Sequence, residues 1–234
     1  MDKGSNTSQQ PILEWIDGDM PYSTAFGDHF YCREDGRAEC GHVFLTGNGL
    51  PDRWSDGAEF SIGELGFGTG LNFCETWRVW KDVKPEGHLH FTSFELYPMD
   101  RDSIAKALSR WPEIEAEKQA LIARWPDTPM GEVRLEMADD VTLTVVCGDA
   151  LASLGAWDTL FDAWYLDGFA PSRNADMWSE ELMRAVFDHT RQGGSFATYA
   201  AAGFVRRNLI AAGFDVSRPP GFAGKREMLS GIKR

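Results

Sequence analysis

The stretch FSIGELGFGTGLNF, Phe60 to Phe73, decides the fold. Its first six residues, FSIGEL, have the length and apolar character of a short buried strand. GFGTG follows, Gly66 to Gly70, and a helical stretch then runs to about Trp80. Glycines at 66, 68 and 70 let the backbone turn tightly and approach a ligand, with the next helix's N-terminus facing it. Strand, glycine turn and helix in that order open an α/β unit.

The alternation continues downstream. HFTSFEL, His90 to Leu96, reads as a second strand. Residues 101–125 carry helical spacing (Ile104, Leu108, Trp111, then Leu121, Ile122, Trp125), interrupted near Pro112. VRLEM from Val133 and VTLTVV from Val141 form a hairpin whose second arm enters the main sheet. FDAWYL, Phe161 to Leu166, is a strand followed by a helix to about Thr190. GSFATY, Gly194 to Tyr199, is another, Phe204 to Ala212 a helix, and the basic C-terminal segment a closing strand pair. Right-handed crossovers then give a mainly parallel sheet, with the closing strands as an antiparallel edge. Upstream, residues 1–10 are polar and expected to be disordered. Residues 11–59 hold short extended pieces and the turn formers GNG and WSDG, and read as a β-rich lead-in packed on the core. Residues 60–234 are the main domain.

Composition bounds the function. At 234 residues, 43% hydrophobic and 25% charged, the chain has the make-up of a soluble globular domain. No apolar run reaches membrane-spanning length and MDKGSNTSQQP lacks a signal-peptide core, so the expected compartment is the cytosol. The four cysteines (Cys32, Cys40, Cys74, Cys147) form no C-x-x-C pair, and the five histidines have no metal-ligand spacing; reduced thiols and no metal are expected. A formal charge of −13 argues against a nucleic-acid partner, yet the charge is uneven. Residues 204–234 carry seven basic and two acidic side chains, leaving 16 basic and 34 acidic ones, a net of −18, for the rest. A basic patch on an acidic protein still binds phosphates locally.

Ligands of open α/β sheets bind outside the carboxyl ends of the strands, where the chemistry-bearing residues of this chain repeatedly fall. The loop reads G-x-G-x-G, with Leu71 where the dinucleotide fingerprint needs a small residue, and no G-K-[ST] follows. Glu64, just before it, suits a cationic amino-acid ligand, which favours S-adenosylmethionine over NAD. Glu64, Gly66, Phe67, Gly68, Thr69 and Gly70 are the cofactor candidates. Glu95 ends the second strand and can accept both hydroxyls of a ribose. Asp149, in CGDA, can accept from an adenine amino group or cap a helix. Asp167 ends FDAWYL and is followed by Gly168, Phe169, Ala170 and Pro171, a layout similar to the Asp/Asn-Pro-Pro-aromatic signature of amino-group methyltransferases. A protonated amine has no lone pair to attack with. A carboxylate beside it can orient it and accept its proton. Phe169 and Pro171 are the acceptor-contact candidates, with Met177 and Trp178 as possible borders of the pocket. The alternative role for Asp167 is a cap on the helix at 172–190.

PYSTAFGDHFY (Pro21 to Tyr31), HVFLTGNGL (His42 to Leu50), ELGFGTGLNF, YLDGFAPSRNADMW (Tyr165 to Trp178), AAGFVRR (Ala201 to Arg207) and GFAGKREML (Gly221 to Leu229) carry a resemblance across nearly all of residues 12–232. The chain resembles the methyltransferase domain of the MnmC family, the bifunctional tRNA 5-methylaminomethyl-2-thiouridine biosynthesis proteins, and its standalone relatives. The resemblance implies a Rossmann-like class I fold. It also implies S-adenosylmethionine-dependent methylation of the aminomethyl group on the wobble uridine of certain tRNAs. Asp167, matching the acid of D-G-F-A-P, becomes the catalytic candidate. Arg206, Arg207, Lys225 and Arg226 fall where an anticodon stem-loop would approach. Larger members carry an FAD-dependent oxidase domain that creates the amine. With the chain ending at Arg234, the expectation is a standalone form served by a separate oxidase or another enzyme. Two other classes compete: a small-molecule N-methyltransferase or aminopropyltransferase, and a catalytically silent tRNA-binding or partner-docking protein.

Overall fold

A computed structural model describes residues 13–54 and 59–234; the N-terminal segment expected to be disordered, residues 1–10, and most of the WSDG turn lie outside the described residues. Leu13–Ile16 (β1), Met20–Ser23 (β2) and Asp28–His29 (β3) form a small antiparallel sheet. The chain then turns helical. Gly36–Glu39 (α1) runs into a π-helical turn, Cys40–Leu45, and short 3-10 turns at Thr46–Asn48 and Asp52–Trp54. The Asp35 carboxylate starts this segment by accepting the Arg37 and Ala38 N–H groups. Val43, Phe44 and Leu45 keep it in place by burial. The lead-in is therefore strand only as far as His29.

The main sheet is built from Phe60–Leu65 (β4), Leu71–Val83 (α2), Leu89–Glu95 (β5), Arg101–Leu108 (α3), Glu115–Arg124 (α4), Gly131–Ala138 (β6), Val141–Cys147 (β7), Ala150–Leu154 (α5), Phe161–Leu166 (β8), Glu180–Asp188 (α6), Thr190–Thr198 (β9), Gly203–Ala212 (α7), Asp215–Ser217 (β10) and Leu229–Ile232 (β11). Its strand order is β10-β11-β9-β8-β4-β5-β7-β6. The central strands β9, β8, β4, β5 and β7 are parallel. β6 closes one edge antiparallel to β7, and β11 with β10 closes the other. The fold is the expected Rossmann-like α/β sheet, with antiparallel strands at both edges.

Two apolar layers sandwich the sheet. Ile62, Phe91, Leu143 and Tyr165 pack with Phe73, Trp77 and Trp80 of α2 and with Phe44 and Trp54 of the lead-in. Leu65, Phe94, Trp164, Leu166 and Phe196 pack under α5, α6 and α7. After β8 the helix starts later than expected. A 3-10 turn, Ala175–Trp178, intervenes, and α6 begins at Glu180 because the Ser179 hydroxyl accepts the Leu182 N–H. Among the described residues no helix is long and apolar enough to cross a membrane.

The topology also fixes where a ligand sits. From β4 the chain proceeds to β5 and β7 on one side, then returns to β8 and β9 on the other. The order therefore reverses between β4 and β8, and their carboxyl ends open a crevice there.

Candidate active site

Register brings the two key loops together. Leu65 pairs with Leu166, so the glycine turn and Asp167 leave the sheet side by side. Gly66, Gly68 and Gly70 take φ of +85°, +52° and +77°, conformations that L side chains rarely adopt. The Gly66 N–H donates to the Phe94 carbonyl and the Gly68 N–H to Glu95 Oε2, both at 2.9 Å. Glu95 Oε1 accepts the Tyr97 N–H at 2.7 Å. Burial raises the Glu95 pKa, and these backbone donors counter it.

Asp167 lies across the crevice. Its Oδ1 accepts the Gly168 N–H at 2.7 Å and its Oδ2 the Asn72 side-chain amide at 2.8 Å. Burial pushes its pKa up to about 7 against those hydrogen bonds. Glu64 is fully buried behind it, accepts from the same amide at 3.0 Å, and is pushed by burial up to about 8.

The lead-in supplies the opposite wall. Phe26 stacks on Phe169 at 4.6 Å between ring centroids, and Phe30 meets the same ring edge-on at 5.1 Å. Asp28 Oδ2 accepts the Ala170 N–H at 2.9 Å, fastening the loop after β8. Tyr199 closes the far end, its hydroxyl donating to the Gly168 carbonyl at 2.6 Å. Over its ring, at 4.6 Å, lies the Lys225 ammonium, paired to Glu39 at 2.7 Å. These groups enclose a cavity of about 400 Å³.

Of the residues expected from sequence, Gly66, Phe67, Gly68, Thr69, Glu95, Asp167, Phe169 and Lys225 line this one cavity. Gly70 stands just outside as the residue that starts α2. Glu64 reaches the site only through Asn72. Asp149 is exposed and caps α5, accepting the Ala152 N–H at 2.8 Å. Pro171, Arg206, Arg207 and Arg226 are not part of the lining. Trp178 is buried beneath the loop and donates its indole N–H to the Phe169 carbonyl. Because Ser179 caps α6, Asp167 is not a helix cap. Sequence reasoning missed Phe26, Asp28, Phe30, Glu39, Asn72, Tyr97 and Tyr199, all of which line the cavity. A readable signal existed for Asn72, a polar residue between Leu71 and Phe73 in a buried first turn.

The donor set fits S-adenosylmethionine. The glycine turn lets the backbone approach a ligand closely, Glu95 offers two carboxylate oxygens beside it, and a cavity lined by Glu95 and Asp167 suits a cation rather than a pyrophosphate.

The comparisons agree. The chain belongs to the S-adenosyl-L-methionine-dependent methyltransferase family whose model matches residues 112–234. It is 46% identical over 228 residues to the tRNA 5-methylaminomethyl-2-thiouridine biosynthesis bifunctional protein MnmC of Chromohalobacter salexigens, covering 94% of this chain and 33% of that protein. The protein of the same name from Hahella chejuensis is 43% identical over 225 residues, covering 94% and 36%. The chain thus spans about a third of the length of these curated relatives. The crystal structure of MNMC2 from Aquifex aeolicus superposes with a TM-score of 0.75 at 20% identity, over 97% of this chain and 71% of that one, which shows a shared fold.

Proposed function

We propose that this chain methylates the amino nitrogen of 5-aminomethyl-2-thiouridine at the tRNA wobble position, giving 5-methylaminomethyl-2-thiouridine. The observation that carries the reading is Asp167, fixed by two donors at the rim of a cavity it shares with the glycine turn and Glu95. S-adenosylmethionine, when bound, supplies an electrophilic methyl group on a sulfonium. Around it, Glu95 would accept the ribose hydroxyls, the turn from Gly66 to Gly70 would allow close approach, and the buried Glu64 carboxyl would brace the site through Asn72. Asp167 orients the acceptor amine and takes its proton. A carboxyl with a pKa of about 7 is matched to that task near neutral pH. Phe169 packs on the acceptor base, with Pro171 shaping its loop.

Contact with the anticodon stem-loop is supported by where the basic residues emerge. α7 follows the carboxyl end of β9, and Leu229 of β11 pairs with Thr198 at that same end. Arg206, Arg207, Lys225 and Arg226 therefore share the cavity's side of the sheet. The amine is supplied by an FAD-dependent oxidase or another enzyme, and the reaction belongs in the cytoplasm with its tRNA.

The test is incubation with methyl-labelled S-adenosylmethionine and tRNA lacking the terminal methylation, followed by nucleoside analysis. Label in the wobble uridine is expected. Label confined to small amines would replace the reading with a small-molecule N-methyltransferase, and no label with bound tRNA would make the chain a binding protein.

A further inference from the structure

We infer that Asn72 is a positioning residue whose amide holds the acids at the ends of β4 and β8 apart, so that Asp167 stays turned to the acceptor nitrogen. The inference rests on Asp167 being the amine-orienting acid. The Asn72 Nδ2 carries two hydrogens, and both are used: one on Glu64 Oε1 at 3.0 Å, the other on Asp167 Oδ2 at 2.8 Å. The Gly168 N–H holds the other oxygen of Asp167 at 2.7 Å. Each oxygen of Asp167 thus carries one fixed donor and keeps a lone pair, and any rotation of the carboxylate breaks both bonds. Asn72 sits in the first turn of α2, directly behind the glycine loop, so one side chain joins β4, α2 and β8.

The chemistry explains why an amide is needed. Two neighbouring carboxyls with no donor between them settle by sharing one proton, each oxygen turned to the other. Such sharing would turn an Asp167 oxygen onto Glu64 and away from the amine. A donor-only contact lets both acids accept at once. The other groups facing Asp167 do not substitute for it. Glu39 from α1 is acidic, burial keeps the Cys40 thiol protonated, and the Tyr199 hydroxyl is committed to the Gly168 carbonyl. Lys225, from the β10–β11 loop, is paired to Glu39.

The test compares the wild type with Asn72→Leu and the isosteric Asn72→Asp, using aspartate carrying ¹³C at the carboxyl carbon and Asp167→Asn to assign the resonance. In ligand-free protein, the Asp167 titration midpoint should rise by about one unit in Asn72→Leu, since a donor to the charged form is lost, and further in Asn72→Asp, which also adds an acid beside it. In transfer assays, kcat at pH 7 should fall about tenfold or more and the acid limb of its pH profile should move up with the midpoint. KM for tRNA and the dissociation constant for S-adenosylmethionine should stay within about threefold. An unmoved midpoint, or a loss carried by KM alone, overturns the inference. If Asn72→Leu does not fold, Asn72→Ala removes the same donor and carries the same reading. The titration needs no substrate, so a wild-type enzyme that methylates no tRNA refutes the proposed function separately from this inference.

Discussion

At the scale of the residue, Asp167 and Glu64 are both carboxyls whose ionised forms the fold disfavours, and each has a measurable consequence. Asp167→Ala should abolish methyl transfer while leaving S-adenosylmethionine affinity within a few-fold, read by single-turnover assay and calorimetry; near wild-type turnover refutes the role. The stability consequence follows from the sign of the shifts. Both groups have folded pKa values raised, to about 7 and about 8, so the folded protein holds protons that the unfolded chain has already released. Their contribution is fully present below the unfolded values near 4 and lost as pH rises through 7 and 8. Glu64→Gln keeps an acceptor for Asn72 but removes the charge. Its melting temperature relative to the parent should therefore climb by several degrees between pH 5 and pH 9 in ligand-free protein. A difference independent of pH would show that Glu64 is not held protonated. Asp167 was legible in the sequence because an apolar run ends on it abruptly. Asn72 was not, because its partners are eight residues before it and 95 after it, and only the β4–β8 pairing brings them together.

At the scale of the element, the pairing of β4 with β8 decides whether there is a site at all. Gly63 is the close-contact point of that pair: a Cβ there would meet the Trp164 ring at 2.7 Å. Trp164 is fully buried and wedged against Phe94 and Phe161, so it has little room to yield. Gly63→Ala should destabilise the protein by about 1–3 kcal/mol in urea unfolding and, by prising apart the strands that carry Gly66 and Asp167, lower S-adenosylmethionine affinity as well. An unchanged midpoint would show that the sheet absorbs the methyl group. The parallel core strands were readable as apolar runs bounded by turn formers, and the hairpin of β6 and β7 as two strand-like segments joined by the short turn Ala138 to Asp140. The helical half of the lead-in was not, since its turns from Gly36 to Trp54 are short and mixed in type. The late start of α6 was obscured too, because Ser179 rather than the strand-end acid supplies the cap.

At the scale of the whole molecule, an acidic chain carries a basic C-terminal segment, of which Lys225 lines the pocket. Arg206 and Arg207 on α7 and Arg226 beside Lys225 in the chain have no ion-pair partner among the described residues, whereas Lys225, Arg218 and Arg234 are paired to Glu39, Glu227 and Asp215. The sequence revealed this segment as a charge asymmetry, but only the antiparallel return of β11 beside β9 brings Lys225 and Arg226 back to the end of the strand that α7 leaves. Because the rest of the protein is acidic, an RNA bound as proposed would touch it locally, through few phosphates. The logarithm of tRNA affinity should then fall only modestly with the logarithm of salt concentration, at roughly 0.7–0.9 per phosphate neutralised. Replacing Arg206 and Arg207 with alanine should weaken tRNA binding by about tenfold or more at low salt and reduce that slope by between about one and two. S-adenosylmethionine affinity should not move, since neither side chain lines the cavity. Filter binding across a salt series, with calorimetry for the cofactor, separates the outcomes: a wild-type slope corresponding to about ten phosphates contradicts local contact, and an unchanged slope in the double variant places the RNA elsewhere.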